Sequence, residues 1–280
     1  MKLTVWGPRG SIPVSGQQYL RYGGDTTCVE IETATGETVI LDAGTGVRAL
    51  GNKLLTEERK SFHFLLSHAH WDHILGFPFF KPLYQTDTNI HVHGCSNAQK
   101  GVKTIFSATM QPPFFPVNIE DVAADLLFDG ECPEEIEFCG LHIRTILLNH
   151  PNFGYGFRIT ENGSSLAFFP DNELTFPHPR GGSFDDYARF VEGVDLLIHD
   201  AEYLPEEYEA FSRGWGHSVY LDTVRFAVES GAKKLILWHL NQDRTDDQVD
   251  AMLRSTTRAL AEAGSGIECL MARTGLQLEI

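Results

Sequence analysis

No apolar stretch in this 280-residue chain approaches the ~20 residues needed to cross a bilayer, so a helical membrane anchor is not expected. Cysteine is scarce: Cys28, Cys95, Cys132, Cys139 and Cys269 are odd in number, scattered and never spaced as Cys-x-x-Cys. That excludes a disulfide framework and a thiolate zinc ribbon, and leaves free thiols that are mostly packed away. Positive charge is also thin, with 22 Lys and Arg against 38 Asp and Glu and a formal net charge of −16. A chain this acidic has little attraction for a phosphate backbone, so nucleic acid is not the expected partner and a small substrate is favoured over a long polyanion. Repeats, linkers and low-complexity tracts are missing. One domain over residues 1–280 is expected, in the cytoplasm, with a strand already at Lys2–Trp6 where a leader would stand.

What is present is a series of short apolar runs of strand length, bounded by Gly, Pro, Asn, Asp or His. They fall at Thr27–Glu32, Thr38–Leu41, Phe62–Leu66, Ile90–Val92, Leu141–Leu148, Ser165–Phe169, Val194–Ile198, Leu235–Trp238 and Glu268–Met271. Helical patterns lie between some of them. Thr245 and Gln248 have capping-box spacing, Val249, Leu253, Thr256 and Leu260 make one face, and Gly264 can close the helix. Ser218 is expected to cap another helix carrying Leu221, Val224 and Val228 and ending at Gly231. Strands followed by strand–helix alternation in two halves predict a layered α/β domain with helices outside packed sheets. The least regular stretch, Ser107–Glu135, holds Met110-Gln111-Pro112-Pro113-Phe114-Phe115-Pro116. Prolines forbid regular structure there, and the aromatics are too costly to leave loose in water, so the segment is expected over a pocket.

The polar residues fall at the ends of these strands. Phe62–Leu66 leads to Ser67-His68-Ala69-His70-Trp71-Asp72-His73, and Leu141–Leu148 to His150. Asp171 follows Ser165–Phe169, His199 and Asp200 follow Val194–Ile198, and His239 follows Trp238. Strand ends on one sheet edge share a crevice, and imidazoles with carboxylates are the ligands that Zn, Mn and Fe ions accept. A lone His-x-His is weak evidence, as His91-Val92-His93 has the same spacing. Four ligand-type residues within six positions are a different matter, because a core without a cation would not tolerate them. His63, His142 and His178 are read as ordinary strand and loop histidines.

At these residues the chain resembles the metallo-β-lactamase superfamily, whose signature is His-x-His-x-Asp-His after a strand. The likeness runs from Leu41-Asp42-Ala43-Gly44-Thr45-Gly46 to Trp238-His239, and implies a four-layer αββα sandwich. By matching position it implies His68, His70 and His150 as ligands of a first metal, Asp72, His73 and His239 as ligands of a second, Asp171 as the bridging carboxylate, and Asp42 as an acid that orients the ligand region. Two divalent cations are expected, zinc first, with Mn or Fe as alternatives. A cation pair can acidify a bridging water and polarise the bond it attacks, so hydrolysis is the expected chemistry.

The segments His199-Asp200-Ala201-Glu202-Tyr203 and Gly214-Trp215-Gly216-His217-Ser218 are similar to paired motifs of the ribonuclease Z and phosphodiesterase branch, with Asp200 for its Glu and Val219 for its Thr. Phosphodiester cleavage builds negative charge on the phosphoryl and departing oxygens, and a histidinium held by a carboxylate serves both. His217 is therefore assigned to charge stabilisation or leaving-group protonation, Asp200 to its orientation, and Asp72 to the catalytic group as well as the ligands. A helix beginning at Ser218 would add its positive end. In the ribonuclease Z family an extended tRNA arm is inserted between the equivalents of His150 and Asp171. Here a plain hairpin around Glu161-Asn162-Gly163 stands there, which ranks a small or cyclic-nucleotide phosphodiester above tRNA 3′-processing. A thioester hydrolase of glyoxalase II type and a non-catalytic metal-binding sensor stay as rivals. A homodimer is compatible with such an enzyme. Phe114, Phe115, Trp71 and Trp215 could stack a flat group, and Arg9 with the Tyr22–Thr27 turn could approach the substrate.

Overall fold

Side chains alternate across a β-strand, and in the computed structural model, which describes residues 1–94, 101–129 and 133–280, that alternation sorts the apolar residues into three separate cores. Cys95 and Cys132 lie outside the described residues; Cys28 is buried, while Cys139 and Cys269 are half-buried. The first half of the chain lays down β1 (Lys2–Gly7), β2 (Cys28–Glu32), β3 (Thr38–Leu41), β4 (Ser61–Leu66), β5 (Asn89–Gly94) and β6 (Asp125–Phe128) side by side. The second half repeats the scheme with β7 (Glu135–Phe138), β8 (Leu141–Leu147), β9 (Tyr155–Glu161), β10 (Ser164–Phe169), β11 (Leu196–Asp200), β12 (Lys234–Trp238) and β13 (Glu268–Met271). The last strand, β14 (Gln277–Glu279), crosses back to pair with β1. Each sheet opens with antiparallel neighbours and ends with parallel ones, from β3 to β6 in one and from β10 to β13 in the other.

Helices α1 (Val47–Thr56), α2 (Trp71–Ile74) and α3 (Val102–Thr109) cover the outer face of the first sheet. Phe62, Phe64 and Leu66 of β4 pack there, while Leu65 points at the opposite sheet. On the second sheet Ala167 and Phe169 of β10 face α4 (Phe184–Phe190), α6 (Tyr220–Glu229) and α7 (Asp246–Glu262). Leu166 and Phe168 join Leu3, Val5, Leu41 and Trp238 between the sheets. Three apolar interfaces require four layers, helix, sheet, sheet, helix, which is the αββα sandwich. A short helix, α5 (Pro205–Glu207), runs into a wide turn over Tyr208–Ser212 on the same side as α6.

Helix α7 has the expected ends: Thr245 N donates to Gln248 Oε1 at 2.8 Å, and Gly264 closes it with φ 64°. Val249, Thr256 and Leu260 are buried on its inner face. The hairpin after β9 turns through Asn162 and Gly163, both left-handed at φ 50° and 86°, the type I′ pattern that matches strand twist. Two expectations fail, and three short strands were not expected at all. Ser218 does not cap α6, whose N-cap is Val219, because the Ser218 hydroxyl donates to Asn172 O and accepts from Leu174 N instead. The segment 107–135 is not irregular throughout, since α3 reaches Thr109 and β6 lies within it. The edge strands β6, β7 and β14 carry too few buried residues to stand out in the sequence. Among the described residues no helix is long and apolar enough to cross a membrane.

Candidate metal centre

β3 and β4 are parallel, and β8 points the same way as β10 because two antiparallel steps separate them, so these strands end on shared edges with β11 and β12. Asp42 closes β3 in the left-handed region, φ 57°, and is fully buried. Its carboxylate accepts from Ser67 N, Ser67 Oγ and His73 Nδ1, each at 2.7 Å, while Ala43 N donates to His73 O. One carboxylate thus pins the turn after β4 and takes the His73 Nδ1 proton, which leaves Nε2 turned inward for a cation. From the second sheet, His150 Nδ1 donates to Gly216 O at 3.0 Å, and His239 Nδ1 stands 2.9 Å from Glu202 Oε2. These contacts leave the Nε2 lone pairs of His150 and His239 pointing inward.

All seven ligand candidates converge there. His68, His70, His150 and Asp171 form one group and Asp72, His73, Asp171 and His239 the other, with Asp171 common to both. His150 Nε2 is 2.9 Å from His70 Nδ1, and Asp171 Oδ2 is 3.6 Å from His68 Nε2 and 3.7 Å from His150 Nε2. On the other side His73 Nε2 lies 3.1 Å from Asp171 Oδ1 and 3.3 Å from Asp72 Oδ2, while His239 Nε2 lies 3.2 Å from Asp72 Oδ2 and 3.3 Å from Asp171 Oδ2. Donor atoms about 2.0–2.2 Å from a tetrahedral zinc stand roughly 3.3–3.6 Å apart, so these spacings fit ligand polyhedra.

The hydrogen-bond accounting points the same way. His68 Nε2, His73 Nε2 and Asp171 Oδ1 are buried without a hydrogen-bond partner. Lone pairs of His73 and His239 facing carboxylate oxygens repel unless positive charge lies between them. Burial disfavours charged rings, yet Asp171 and its acidic neighbours push His73 and His239 well above the usual histidine range. Burial, with the neighbouring histidines, pushes His68 well below that range and His150 to about 3. Five carboxylates, Asp42, Asp72, Asp171, Asp200 and Glu202, are at least 95% buried in this region. At a desolvation cost of several kcal/mol per ion, so many anions are tenable only with cations among them. The site therefore suits divalent metal ions.

A cleft of about 710 Å³ opens onto the centre, bordered by His70, Trp71, Asp72, Asn152, His217 and Ser11 among others. His217 Nδ1 is 2.7 Å from Asp200 Oδ2, its ring stacks on His239 at 4.4 Å, and Nε2 is left for the cleft. Burial opposes the charged ring, but Glu202 and Asp200 push His217 up to about 9. Asp200, fully buried, also accepts from Asn172 N and Glu202 N. At the start of α6, Tyr220 N donates to Tyr203 O.

Other expected contacts are structural. Arg9 is fully buried and donates to the carbonyls of Gly23, Asn241 and Arg244, which ties the N-terminal loop to the α7 approach and keeps it out of the cleft. Tyr22 OH donates to Asp250 of α7, and Asp25 accepts from Thr45. His199 is fully buried; its Nδ1 donates to Asp200 O and its Nε2 accepts from Asn172 Nδ2. Trp215 is exposed and rests on Phe211.

Sequence reasoning missed five positions. Glu202, within the segment it quoted, orients His239 and is itself held by Asn241 Nδ2 at 2.7 Å. Ser11 N donates to Asp72 Oδ2 at 2.8 Å, and Gly10 beside it admits the His239 ring, since a Cβ would lie 1.9 Å from His239 Cε1. Glu173 accepts from Gly214 N, Gly216 N and Tyr208 OH, and so builds the loop that carries His217. Gly216 needs φ 96° and close approach to His150. A carboxylate directly after Asp171-Asn172 was the available signal for Glu173.

Residues 37–240 match the model of the β-lactamase superfamily domain. The ribonuclease Z of Halalkalibacterium halodurans is 23% identical over 243 residues, 71% of this chain and 75% of that protein. The ribonuclease Z of Haloarcula marismortui is 22% identical, with 86% of each chain covered. Among solved structures, the metallo-β-lactamase fold protein YhfI from Bacillus subtilis superposes with a TM-score of 0.71 at 19% identity, covering 100% of this chain and 99% of that one. A diphosphatase from the PhnP family gives a TM-score of 0.68 at 20% identity, covering 100% and 97%. At these identities the structures establish the shared fold. The relatives named ribonuclease Z lend no support to the expectation, drawn from net charge, that nucleic acid is not a partner.

Proposed function

The chain belongs to the β-lactamase superfamily and is a metal-dependent hydrolase, and from that premise we propose that it is a phosphodiesterase acting on a small or cyclic-nucleotide phosphodiester. His68, His70, His150 and Asp171 would hold one cation and Asp72, His73, His239 and Asp171 the other. Zinc suits this nitrogen and carboxylate set best, with Mn or Fe as alternatives. Bound there, the cations would supply Lewis acidity and an acidified water. Asp72, in the cleft wall, is placed to take the proton that the attacking water gives up. His217 carries the specific reading: oriented by Asp200 at 2.7 Å and stacked on His239, it offers Nε2 as acid to the departing oxygen or as donor to a phosphoryl oxygen.

The walls of the cleft support a small substrate. Trp71 borders both the cleft and an adjoining apolar cavity of about 420 Å³ that includes Phe79, Phe114 and Phe115. A base or other flat group stacked there would leave its phosphodiester over the metals. The 710 Å³ cleft lies in the usual range for small-molecule sites. The diphosphatase neighbour and the relatives named ribonuclease Z favour phosphoryl chemistry over thioester cleavage. Those same relatives favour RNA as the second reading, against which stand the net charge of −16 and the short hairpin where an arm would be. The cytoplasm is the expected setting, where Cys28 stays reduced.

Metal-loaded protein is to be incubated with a bis-aryl phosphodiester, cyclic nucleotides, a 3′-extended tRNA and a thioester, with and without chelator. Chelator-sensitive turnover of the small phosphodiesters is expected, and turnover of the thioester or the tRNA alone would reject the assignment. His217→Ala should lower kcat by about 100-fold or more at unchanged metal content; undiminished kcat would remove His217 from the reaction.

A further inference from the structure

We propose that His63, His91 and His93, oriented by Asp129, form a separate site for one divalent cation of zinc type at the rim of the sandwich. The three imidazoles come from two adjacent parallel strands, with His63 paired to His91 and Leu65 to His93. Phe62, Phe64, Ile90 and Val92 on those strands face the outer helices, so alternation puts the histidines on the face turned to the second sheet. Elsewhere that face is filled by aliphatic side chains such as Leu65 and Val39. Three imidazoles in one patch of an apolar layer lack a packing rationale. His63 lies five residues before His68, roughly 16 Å along an extended strand, so the cluster is distinct from the catalytic centre.

The geometry is that of ligands with an orienting carboxylate. One ligand atom from each histidine lies within 4.8 Å of the others, and His63 Nδ1 is 3.1 Å from His93 Nε2, close to the roughly 3.3 Å between two nitrogens on a tetrahedral zinc. His93 Nδ1 donates to Asp129 Oδ2 at 2.6 Å, which turns the Nε2 lone pair toward His63. Asp42 does the same for His73 in the catalytic centre. His91 Nε2 donates to Asp129 Oδ1 at 2.8 Å. Phe138 of β7 clamps the rings, stacked on His93 at 4.2 Å and on His63 at 4.9 Å. His63, His91 and Asp129 are partly exposed, which gives a cation a way in.

The competing account is a hydrogen-bonded cluster in which a proton on His63 bridges to His93 Nε2. Elemental analysis separates the two. The protein is loaded with Zn²⁺, desalted and measured beside His93→Ala and His91→Gln, the latter retaining a polar group at a partly exposed position so that the test survives if removing the buried ring unfolds the rim. Each folded variant is expected to bind one equivalent less than the parent while hydrolysing the phosphodiester at the parental rate. Equal zinc content in the parent and the folded variants overturns the proposal. The readout is a difference between proteins, so it stands whether or not the substrate assignment does.

Discussion

In the first sheet, four candidate ligands follow one another from the turn after β4 into α2, His68, His70, Asp72 and His73; in the second, His150, Asp171 and His239 arrive singly from the ends of β8, β10 and β12. The two deliveries need different support. A contiguous turn has its ligand spacing fixed by the chain, and a single buried carboxylate, Asp42, anchors it through Ser67 and His73. Dispersed ligands inherit nothing from their neighbours, and each has its own holder. Gly216 O receives His150, Glu202 stands against His239, and Asn172 O and Glu173, accepting from Ser218 Oγ and Gly216 N, bind the loop around Asp171 to the one around His217. The second half is therefore the one whose geometry rests on many weak contacts.

Asp171 belongs to both halves, and the largest effect is expected there. Asp171→Ala removes the only carboxylate shared by the two ligand groups among the described residues, and should release metal and cut turnover by about 1,000-fold or more, the loss of several kcal/mol of transition-state stabilisation. Full metal content and turnover in that variant would break the idea of a common bridge. Next come the two orienting carboxylates. Asp42→Asn and Glu202→Gln should each weaken metal affinity by about 10–100-fold, measured by competition with a chromophoric chelator. If Glu202→Gln binds metal as tightly as the parent while Asp42→Asn does not, the dispersed ligands are held by packing and the contrast between the halves must be redrawn. The smallest effect is expected at Glu173. Glu173→Gln keeps one acceptor oxygen of the two and should cost about 1.5 kcal/mol in denaturant unfolding, with metal content intact and only a modest fall in kcat. A loss of metal instead would mean that the 214–217 loop shapes the ligand set itself.

The strand positions, the capped α7 and the His68–His73 run were legible because each is local: period-2 alternation, capping spacing and ligand spacing are properties of a few consecutive residues. Short edge strands such as β6 and β14 were not, because half-exposed segments of three or four residues carry no distinctive period. Ser218 misled for a related reason. A serine before a helix is a cap only if its hydroxyl has no stronger claim, and here Asn172 O and Leu174 N claim it.

By itself, then, the sequence determined the layered α/β architecture and the His68–His73 run, and it named the candidate ligands that the fold gathers around Asp171. Tertiary structure alone decided that Arg9 serves the scaffold, that Glu202 holds His239, and that His63 meets His91 and His93 across two strands. Spacing along a chain is set by covalent geometry and can be read from letters. Meetings between distant residues depend on sheet register and on which face each side chain takes, and these are fixed only when every strand packs at once.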